Sequence, residues 1–364
     1  MNSITQVAGS THDFQLVRHL ETAGSQFAIG RAMAEEARER LGWAPQPADP
    51  TVNRARMTWF ERNWPQHLAR LDGVADAFGV DPDDDSLTLD GLSGLPMACS
   101  ALWVPPSAAP DGHGRIGRNY DFFTITMSEL MGAPPREGEL PIAARPYVIT
   151  TRPDEGLASV VITMSGLDGC MDGVNEAGLS VALLIADATT AAPPEDTSPQ
   201  VGVDSVQLPR FLLDTCENVA QAKQALLGAK QYDHGMPLHY IVADADGNAF
   251  VWESERIFEV GDAPLCVTNH LLHSHPDPMA LPEDTDDTLE SYGRLRSLYE
   301  RSKGATMSGD DIRQALEAVS PTPDKAWRTT WSTVFDTHDR TLSTRFYLGD
   351  EAGYSGELLF SAAR

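Results

Sequence analysis

The residue in this sequence best suited to covalent chemistry is Cys99, in the segment 95–103. Free cysteines are most often buried and inert, so the residue type alone does not indicate a nucleophile. The neighbours change that balance, because Arg118 and Asp121 lie in a strand-like segment expected to pair with the strand that starts at Cys99. A guanidinium beside a thiol lowers the pKa of the thiol, and a carboxylate can hold an amine or a substrate group. The spacing predicts an activated thiol.

Three other patterns lack the context that a ligand site needs. The string 112–117 matches G-x-G-x-x-G, but no strand precedes it and no helix follows it, so it predicts a hairpin turn. His270, His273 and His275 lie in a polar loop without an acidic or thiolate partner at defined spacing, which favours surface or hydrogen-bonded histidines over metal ligands. The acidic run 81–85 lacks the glycine and glutamate of a calcium loop and predicts a solvated turn. We expect no metal and no cofactor.

The elements that must position Cys99 change character at this residue. Residues 1–98 have mostly helical periodicity, with amphipathic helices expected at 30–41 and from Leu68 onward. Later segments read as strands at 101–104, 115–123, 146–151, 158–165, 179–186, 330–335 and 341–347, and as a hairpin of 238–243 with 249–253. Helices are expected at 288–301, at 309–319 and, as a pair interrupted near Pro209, within 206–227. Short connections favour an α+β fold with mostly antiparallel pairing.

Composition excludes several classes of partner. Lys and Arg number 27 against 53 Asp and Glu, and the net charge of −26 opposes binding to nucleic acid or to an anionic membrane. The cysteines at 99, 170, 216 and 266 are too far apart for a disulfide framework or a zinc site, so we expect reduced thiols in the cytoplasm. The first residues lack a basic stretch followed by an apolar core, and the longest apolar run, around 179–188, is too short for a membrane span, so we expect neither export nor membrane insertion. The oligomeric state, including a homo-oligomer, is left open.

Five segments in order resemble the N-terminal nucleophile (Ntn) hydrolases of the choloylglycine hydrolase and penicillin acyltransferase type. They are Cys99-Ser100 followed by Gly-Arg-Asn-Tyr-Asp-Phe at 117–122, Met-Asp-Gly-Val-Asn-Glu-Ala-Gly-Leu at 171–179, Val-Thr-Asn-His at 267–270, Ser-Tyr-Gly-Arg-Leu at 291–295, and Trp-Ser-Thr-Val-Phe-Asp at 331–336. The resemblance implies a four-layer αββα sandwich. The length before Cys99 resembles the penicillin acyltransferase branch, in which a helical prosegment, here 1–98, becomes a small subunit and the catalytic domain, here 99–364, follows.

The resemblance also implies a role for each matched residue. Cys99 would be the nucleophile and, once the Ala98–Cys99 bond is cut, would supply its own α-amine as base. By the same resemblance, Arg118 would stabilise the thiolate, Asp121 would orient the amine, and Asn269 and Asn175 would donate to the oxyanion. Arg294 would brace the site, bind a substrate carboxylate, or form only a structural ion pair. Ala98 departs from the glycine of the penicillin acyltransferase, and alanine resists positive φ.

The resulting hypothesis is a hydrolase of linear, non-peptide amides that works through a thioester on Cys99. Its partners would be a small-molecule acyl amide and its own cleaved prosegment, which stays bound. One alternative is an acyltransferase that passes the acyl group to an amine, with an acyl thioester as a further donor. Another is a non-catalytic, unprocessed binding module, which the Ala98 departure favours. If the chain stays unprocessed and the thiol uses a different base, His113 in the neighbouring turn is the first candidate.

Overall fold

The computed structural model describes residues 2–90, 98–164, 167–187, 202–229, 231–232, 237–253 and 256–364. Residues 95–97, which precede the expected cleavage point, and the last residue of the strand predicted at 158–165 lie outside the described residues. In the part described, each helix is too short or too polar to span a membrane.

The α-helices of the described residues are α1 (Gln26–Glu36), α2 (Pro50–Asn63), α3 (Pro65–Phe78), α4 (Met127–Leu130), α5 (Leu208–Thr215), α6 (Val219–Gly228), α7 (Ser291–Ser302) and α8 (Gly309–Glu317). A π-helical turn at Ala37–Leu41 continues α1, and two short 3-10 helices lie at Pro106–Ala108 and Asp286–Thr288. The strands are β1 (Ser3–Gly9), β2 (Leu16–Gly24), β3 (Gln46–Pro47), β4 (Leu87–Thr88), β5 (Cys99–Val104), β6 (Arg115–Phe123), β7 (Tyr147–Pro153), β8 (Ser159–Thr163), β9 (Asp172–Asn175), β10 (Ser180–Ile185), β11 (Val203–Asp204), β12 (Gln231–Tyr232), β13 (Leu238–Ala243), β14 (Ala249–Glu253), β15 (Arg256–Glu259), β16 (Leu265–Val267), β17 (Trp327–Asp336), β18 (Thr341–Gly349), β19 (Gly353–Tyr354) and β20 (Leu358–Ser361).

Two large sheets form the body of the molecule. Within the described chain, one sheet has the order β1-β2-β7-β8-β9-β10-β13-β14-β15, and the other has the order β16-β5-β6-β17-β18-β19 with β20 paired to β18. The sheets contact each other through β10 and β5, β9 and β18, and β8 and β20. Helices α5 and α6 pack on the first sheet, and α7 and α8 pack on the second. The architecture is the αββα sandwich that the resemblance implies, with mostly antiparallel pairing.

The N-terminal segment is less helical than predicted. Residues 3–24 form strands β1 and β2, and β2 pairs in parallel with β7 from Arg18 opposite Tyr147 to Gly24 opposite Pro153. The helical periodicity begins only at α1. Strand β2 pairs with the adjacent β1 on one side and with β7, more than a hundred residues away, on the other. Both β1 and β2 were missed because β1 is largely exposed and the buried residues of β2 do not alternate regularly, so neither has a clear strand pattern.

Helices α1 and α3 cross at very short distance. A Cβ atom on Gly30 would lie 2.0 Å from the Arg70 carbonyl oxygen, and one on Gly73 would lie 2.0 Å from the Phe27 carbonyl oxygen. Both positions therefore require glycine, because a larger side chain would separate the two helices.

Most local predictions after Cys99 are confirmed. Residues 112–114 end the connection between β5 and β6, and residues 115–117 begin β6. The segments 238–243 and 249–253 form β13 and β14, as expected. The helix pair at 206–227 is also present, but the break lies between α5 and α6 and not near Pro209. Pro209 lies in the first turn of α5, where a missing N–H is tolerated.

Candidate active site

The hairpin of β5 and β6 brings Cys99 and Arg118 together. Cys99 is the first residue of β5 and lies opposite Tyr120, and Ala101 lies opposite Arg118. Because residues two apart on a strand share a face, Arg118 and Tyr120 point to the same side of the sheet as the thiol. The Arg118 Nη2 atom lies 3.3 Å from the Cys99 Sγ atom. The sequence-predicted pairing of these two segments is confirmed.

Arg118 is fixed from both sheets. Its Nη1 atom donates to Asp172 Oδ2 at 2.9 Å, and its Nη2 atom donates to the Leu183 carbonyl at 2.8 Å. The same Asp172 oxygen accepts from Trp331 Nε1 at 2.6 Å, and the guanidinium carbon lies 4.3 Å from the centre of the Tyr120 ring. These side chains are fully buried. A charge held by this many partners keeps one position, which fixes the positive group beside the thiol.

The thiol is protonated at neutral pH in the intact chain. Burial raises the pKa of Cys99 to about 11, and Asp121 and Asp172 add to the rise, whereas Arg118 opposes it. The expectation of a lowered thiol pKa is therefore wrong for the intact chain. Loss of water around the thiolate outweighs one nearby positive charge.

Asn269 and Arg294 hold the backbone of Cys99. The Cys99 backbone N–H donates to Asn269 Oδ1 at 2.8 Å, and Arg294 Nη2 donates to the same oxygen at 2.7 Å. Arg294 Nη1 donates to the Cys99 carbonyl at 2.5 Å and to Ser100 Oγ at 2.8 Å. The Asn269 amide donates to the Ile185 carbonyl at 2.8 Å. Of the three interpretations of Arg294, these contacts favour the one in which it braces the site.

Asp121 contacts the peptide bond in front of Cys99 through its backbone. Its N–H donates to the Ala98 carbonyl oxygen at 2.9 Å. Its carboxylate lies on the other face of β6, where Oδ1 accepts from Thr329 Oγ1 at 2.6 Å and Oδ2 lies 3.8 Å from Arg294 Nη1. Among the described residues, no group donates a hydrogen bond to Oδ2. Burial raises the pKa of Asp121, and the charge of Arg294, the hydrogen bond from Thr329 and the charge of Arg118 oppose the rise.

The role expected for Asn175 does not fit its contacts. Its amide nitrogen donates to the carbonyls of Leu213 and Cys216 at 3.0 and 2.7 Å, and its amide oxygen accepts from the N–H groups of Ala177 and Leu179, each at 3.1 Å. A buried primary amide has two hydrogens to donate, and both are used here. Asn175 therefore ties β9 to helix α5, and the prediction that it donates to an oxyanion is corrected.

His113 is too far from the thiol to act as its base. It lies in the turn between β5 and β6, where its Nδ1 atom is 3.1 Å from Asp336 Oδ2. Cys99 lies at the other end of the hairpin, five residues from the Val104–Arg115 pair. At about 3.3 Å per residue, the two ends are roughly 16 Å apart. The alternative in which His113 activates Cys99 is corrected.

Two of the three histidines after Asn269, His270 and His273, are hydrogen-bonded, as predicted. His270 is buried, its Nδ1 atom lies 2.8 Å from Ser291 Oγ, and burial lowers its pKa to about 3. His273 contacts the buried carboxylate of Glu253. These rings support the loop that carries Asn269 and do not converge on a common point.

Two groups in the described residues have spacing suited to a metal ion: His113, His338 and Asp339 at the turns of β5–β6 and β17–β18, and the buried His67, Asp90 and Asp168. In the second group Arg56 Nη1 lies 2.8 Å from Asp90 Oδ2, and Gln207 donates to both carboxylates. A cation would compete with the Arg56 guanidinium there. Neither group contains a residue in contact with Cys99.

Sequence reasoning missed several supporting residues. Asp172 lies in the segment 171–179 that carried the resemblance, yet the side chain selected there was Asn175. Trp331 lies within the strand predicted at 330–335, and Thr329 lies one residue before it on β17, but the strand pattern gave no sign that their polar atoms reach Asp172 and Asp121.

One family model matches more than half of the chain. The sequence model of the family described as acyl-coenzyme A:6-aminopenicillanic acid acyl-transferase matches residues 107–351, about two thirds of the chain. The matched range begins after Cys99, so it does not include the candidate nucleophile. No curated protein matches the sequence significantly.

Three solved structures illustrate the weaker structural likeness. A mutant of the conjugated bile acid hydrolase from Clostridium perfringens has 14% identity and a TM-score of 0.47, covering 73% of this chain and 92% of that chain. Penicillin V acylase from Agrobacterium tumefaciens has 14% identity and a TM-score of 0.44, covering 72% and 86%. The Caenorhabditis elegans N-acylethanolamine-hydrolyzing acid amidase ortholog has 15% identity and a TM-score of 0.40, covering 66% and 93%.

Proposed function

The chain belongs to the acyl-coenzyme A:6-aminopenicillanic acid acyl-transferase family, and from that premise we propose that it hydrolyses linear, non-peptide amides through a thioester on Cys99. Membership makes it an amide hydrolase or acyltransferase with the Ntn-hydrolase fold. The assignment of Cys99 as the nucleophile is supported by its hydrogen bonds. Its thiol contacts Arg118, its backbone N–H donates to Asn269, and its carbonyl accepts from Arg294.

The enzyme would activate itself by cutting the Ala98–Cys99 peptide bond. The Cys99 sulfur attacks the Ala98 carbonyl carbon, the C–N bond breaks, and the nitrogen takes up the thiol proton. Negative charge develops on the Ala98 oxygen, which already accepts a hydrogen bond from the Asp121 backbone N–H at 2.9 Å. Water then hydrolyses the thioester, which leaves a carboxylate on Ala98 and a free α-amine and thiol on Cys99.

Alanine before the nucleophile does not oppose this step. Among the described residues, the non-glycine positions with positive φ are Leu289, Glu290 and Arg340, and Ala98 is not one of them. The concern that Ala98 would resist a left-handed backbone therefore does not arise in this conformation.

Cleavage would supply the missing donor for Asp121. The new α-amine forms close to the backbone N–H of Asp121, and Oδ2 of this residue has no hydrogen-bond donor among the described residues. An α-amine titrates near about 7.7 to 8, so at neutral pH it can exchange the thiol proton. Asp121 would orient this amine, Asn269 would donate to the substrate oxyanion, and Arg118 would stabilise the thiolate.

The cleaved segment 1–98 would stay bound as a subunit. Besides the pairing of β2 with β7, the buried Asp214 on α5 contacts Arg70 and accepts from Trp64 Nε1 at 2.9 Å. Arg56 donates to Gln207 at 3.3 Å. These contacts join the N-terminal segment to the catalytic body through the core and not through an exposed surface. The free thiols suit a reducing compartment such as the cytoplasm.

An acyltransferase is the second candidate, because the matching family model is described as one. Both activities pass through the same acyl-enzyme and differ in whether water or an amine accepts the acyl group. We propose testing a panel of N-acyl p-nitroanilides and acyl-coenzyme A thioesters, with and without an added amine. Release of free acid supports the hydrolase, and amide formed with the added amine supports the transferase.

Two variants decide whether Cys99 is the nucleophile. Cys99→Ala should have no turnover with any donor in the panel. Cys216→Ala removes another buried thiol, at the end of α5, and should keep full turnover. Turnover retained in Cys99→Ala would refute the proposal.

A further inference from the structure

Glu253 is a buried carboxylate that the reaction outlined above does not use. It is the last residue of β14, it is 1% exposed, and it lies opposite His239 on β13. Its Oε1 atom accepts from the Leu272 backbone N–H at 2.6 Å, and its Oε2 atom accepts from the His273 backbone N–H at 3.1 Å. One carboxylate thus accepts from two successive backbone N–H groups in the loop that follows Asn269, outside any helix or strand.

His239 adds a second support to the same loop. Its Nε2 atom lies 3.0 Å from the His270 carbonyl oxygen, and because a carbonyl oxygen only accepts hydrogen bonds, Nε2 is the donor. Its Nδ1 atom lies 3.3 Å from Glu253 Oε1. The end of the β13–β14 hairpin therefore contacts the loop at His270, Leu272 and His273.

Asn269 lies between two anchors. Before it, β16 pairs with β5 from Leu265 opposite Trp103 to Val267 opposite Ala101, which fixes the chain relative to Cys99. After it, the hydrogen bonds to Glu253 and His239 come from the other sheet. Charge-assisted hydrogen bonds of this kind are among the stronger ones in proteins.

We propose that Glu253 is a positioning residue, which sets the Asn269 amide for the acyl-transfer step by clamping the backbone of Leu272 and His273. This inference rests on the proposed function, because it assigns Asn269 to the oxyanion. Asn269 Oδ1 accepts hydrogen bonds from the Cys99 backbone N–H at 2.8 Å and from Arg294 Nη2 at 2.7 Å. A shift of the loop would therefore move the Asn269 amide, which is in direct contact with the nucleophile.

Glu253→Gln is the direct test. Glutamine keeps one acceptor oxygen and replaces the other with an amide group that cannot accept from a backbone N–H. A misplacement of a catalytic group by about 1 Å lowers turnover by up to roughly 100-fold. We expect kcat for an N-acyl p-nitroanilide to fall by about 10- to 100-fold while KM stays within about twofold, because the lost interaction acts in the transition state.

Asp244→Asn is the matched control. Asp244 is a buried carboxylate at the opposite end of the same hairpin, and it accepts from the backbone N–H groups of Val219, Asp246 and Asn248. Its loss should lower thermal stability and leave kcat unchanged. An equal loss of kcat in Asp244→Asn and Glu253→Gln would overturn the proposal, and so would an unchanged kcat in Glu253→Gln.

Two further measurements keep the test decisive. If Glu253→Gln does not fold by circular dichroism, His239→Phe removes the neighbouring support, and its kcat should fall with KM unchanged. An unchanged kcat in His239→Phe would then overturn the proposal. Turnover in Cys99→Ala would show that the proposed function itself has failed, which separates that outcome from failure of the Glu253 proposal.

Discussion

Replacing Thr329 by valine should shift the acid side of the pH profile. The Thr329 hydroxyl donates to Asp121 Oδ1 at 2.6 Å, and both side chains are buried. Burial raises the pKa of Asp121, while this hydrogen bond and the charges of Arg294 and Arg118 lower it. Valine keeps the shape of the side chain and removes the donor, so the pKa of Asp121 must rise further.

The size of the shift follows from the strength of the bond. A hydrogen bond to a charged group contributes about 1.5–3 kcal/mol. Since one pKa unit corresponds to about 1.36 kcal/mol, the pKa of Asp121 should rise by roughly one to two units. If ionised Asp121 holds the Cys99 amine, activity is lost as the pH falls through the pKa of Asp121. The acid limb of kcat/KM should therefore move to higher pH by roughly one to two units in Thr329→Val.

The control is the neighbouring threonine on the same strand. Thr330 is also buried, and its hydroxyl donates to a backbone carbonyl, that of Tyr120, at 3.1 Å. Thr330→Val should lose stability without moving the limb. The assay is kcat/KM for one N-acyl p-nitroanilide, from acid to neutral pH, in the wild type and both variants. An unmoved limb in Thr329→Val, or an equal shift in both variants, would refute the reasoning.

Three more outcomes are expected. Asp214→Ala leaves Trp64 Nε1 and the Arg70 guanidinium without their buried partner, so thermal or urea unfolding should show a loss of about 3–5 kcal/mol; a loss near zero would contradict the integral role of the N-terminal segment. Asn175→Ala should lower the free energy of unfolding and leave kcat of the folded enzyme unchanged, whereas a large drop in kcat would restore its oxyanion role. Burial raises the pKa of Cys266 from 9.0 to about 12, so its contribution to stability is complete below pH 9 and is lost as the pH rises from 9 toward 12. Between pH 9 and 12, the free energy of unfolding of the wild type, measured in urea, should therefore fall by up to about 1.4 kcal/mol per pH unit more than that of Cys266→Ala. Equal pH slopes of the two free energies would contradict this.

The hairpins were predictable because their signals are local. The glycine-rich segment before β6 and the Asp-Gly turn between β13 and β14 mark turns between runs of strand-forming residues. Strand β2 has no such signal. Its neighbour β1 is largely exposed, its own buried residues do not alternate regularly, and its other partner β7 lies far along the chain, so that only the tertiary fold brings the two together.

The site was predictable in its residue types but not in all side-chain directions. The pairing of β5 with β6 followed from sequence, and with it the contact of Cys99 with Arg118. The segment 171–179 was recognised, yet its chemistry lies at Asp172, at the start of β9, and not at Asn175, which turns toward helix α5. The thiol pKa could not be read from the sequence either, because it depends on how completely the fold removes water from Cys99.

The central claim is that Cys99 is a nucleophile exposed by cleavage of the Ala98–Cys99 bond. Intact mass under denaturing conditions tests it most directly, on purified wild type, Cys99→Ala and the control Cys216→Ala. The account predicts two polypeptides, 1–98 and 99–364, for the wild type and for Cys216→Ala, and one uncut chain for Cys99→Ala. A single uncut chain in an active wild type, or a cut chain in Cys99→Ala, would contradict it.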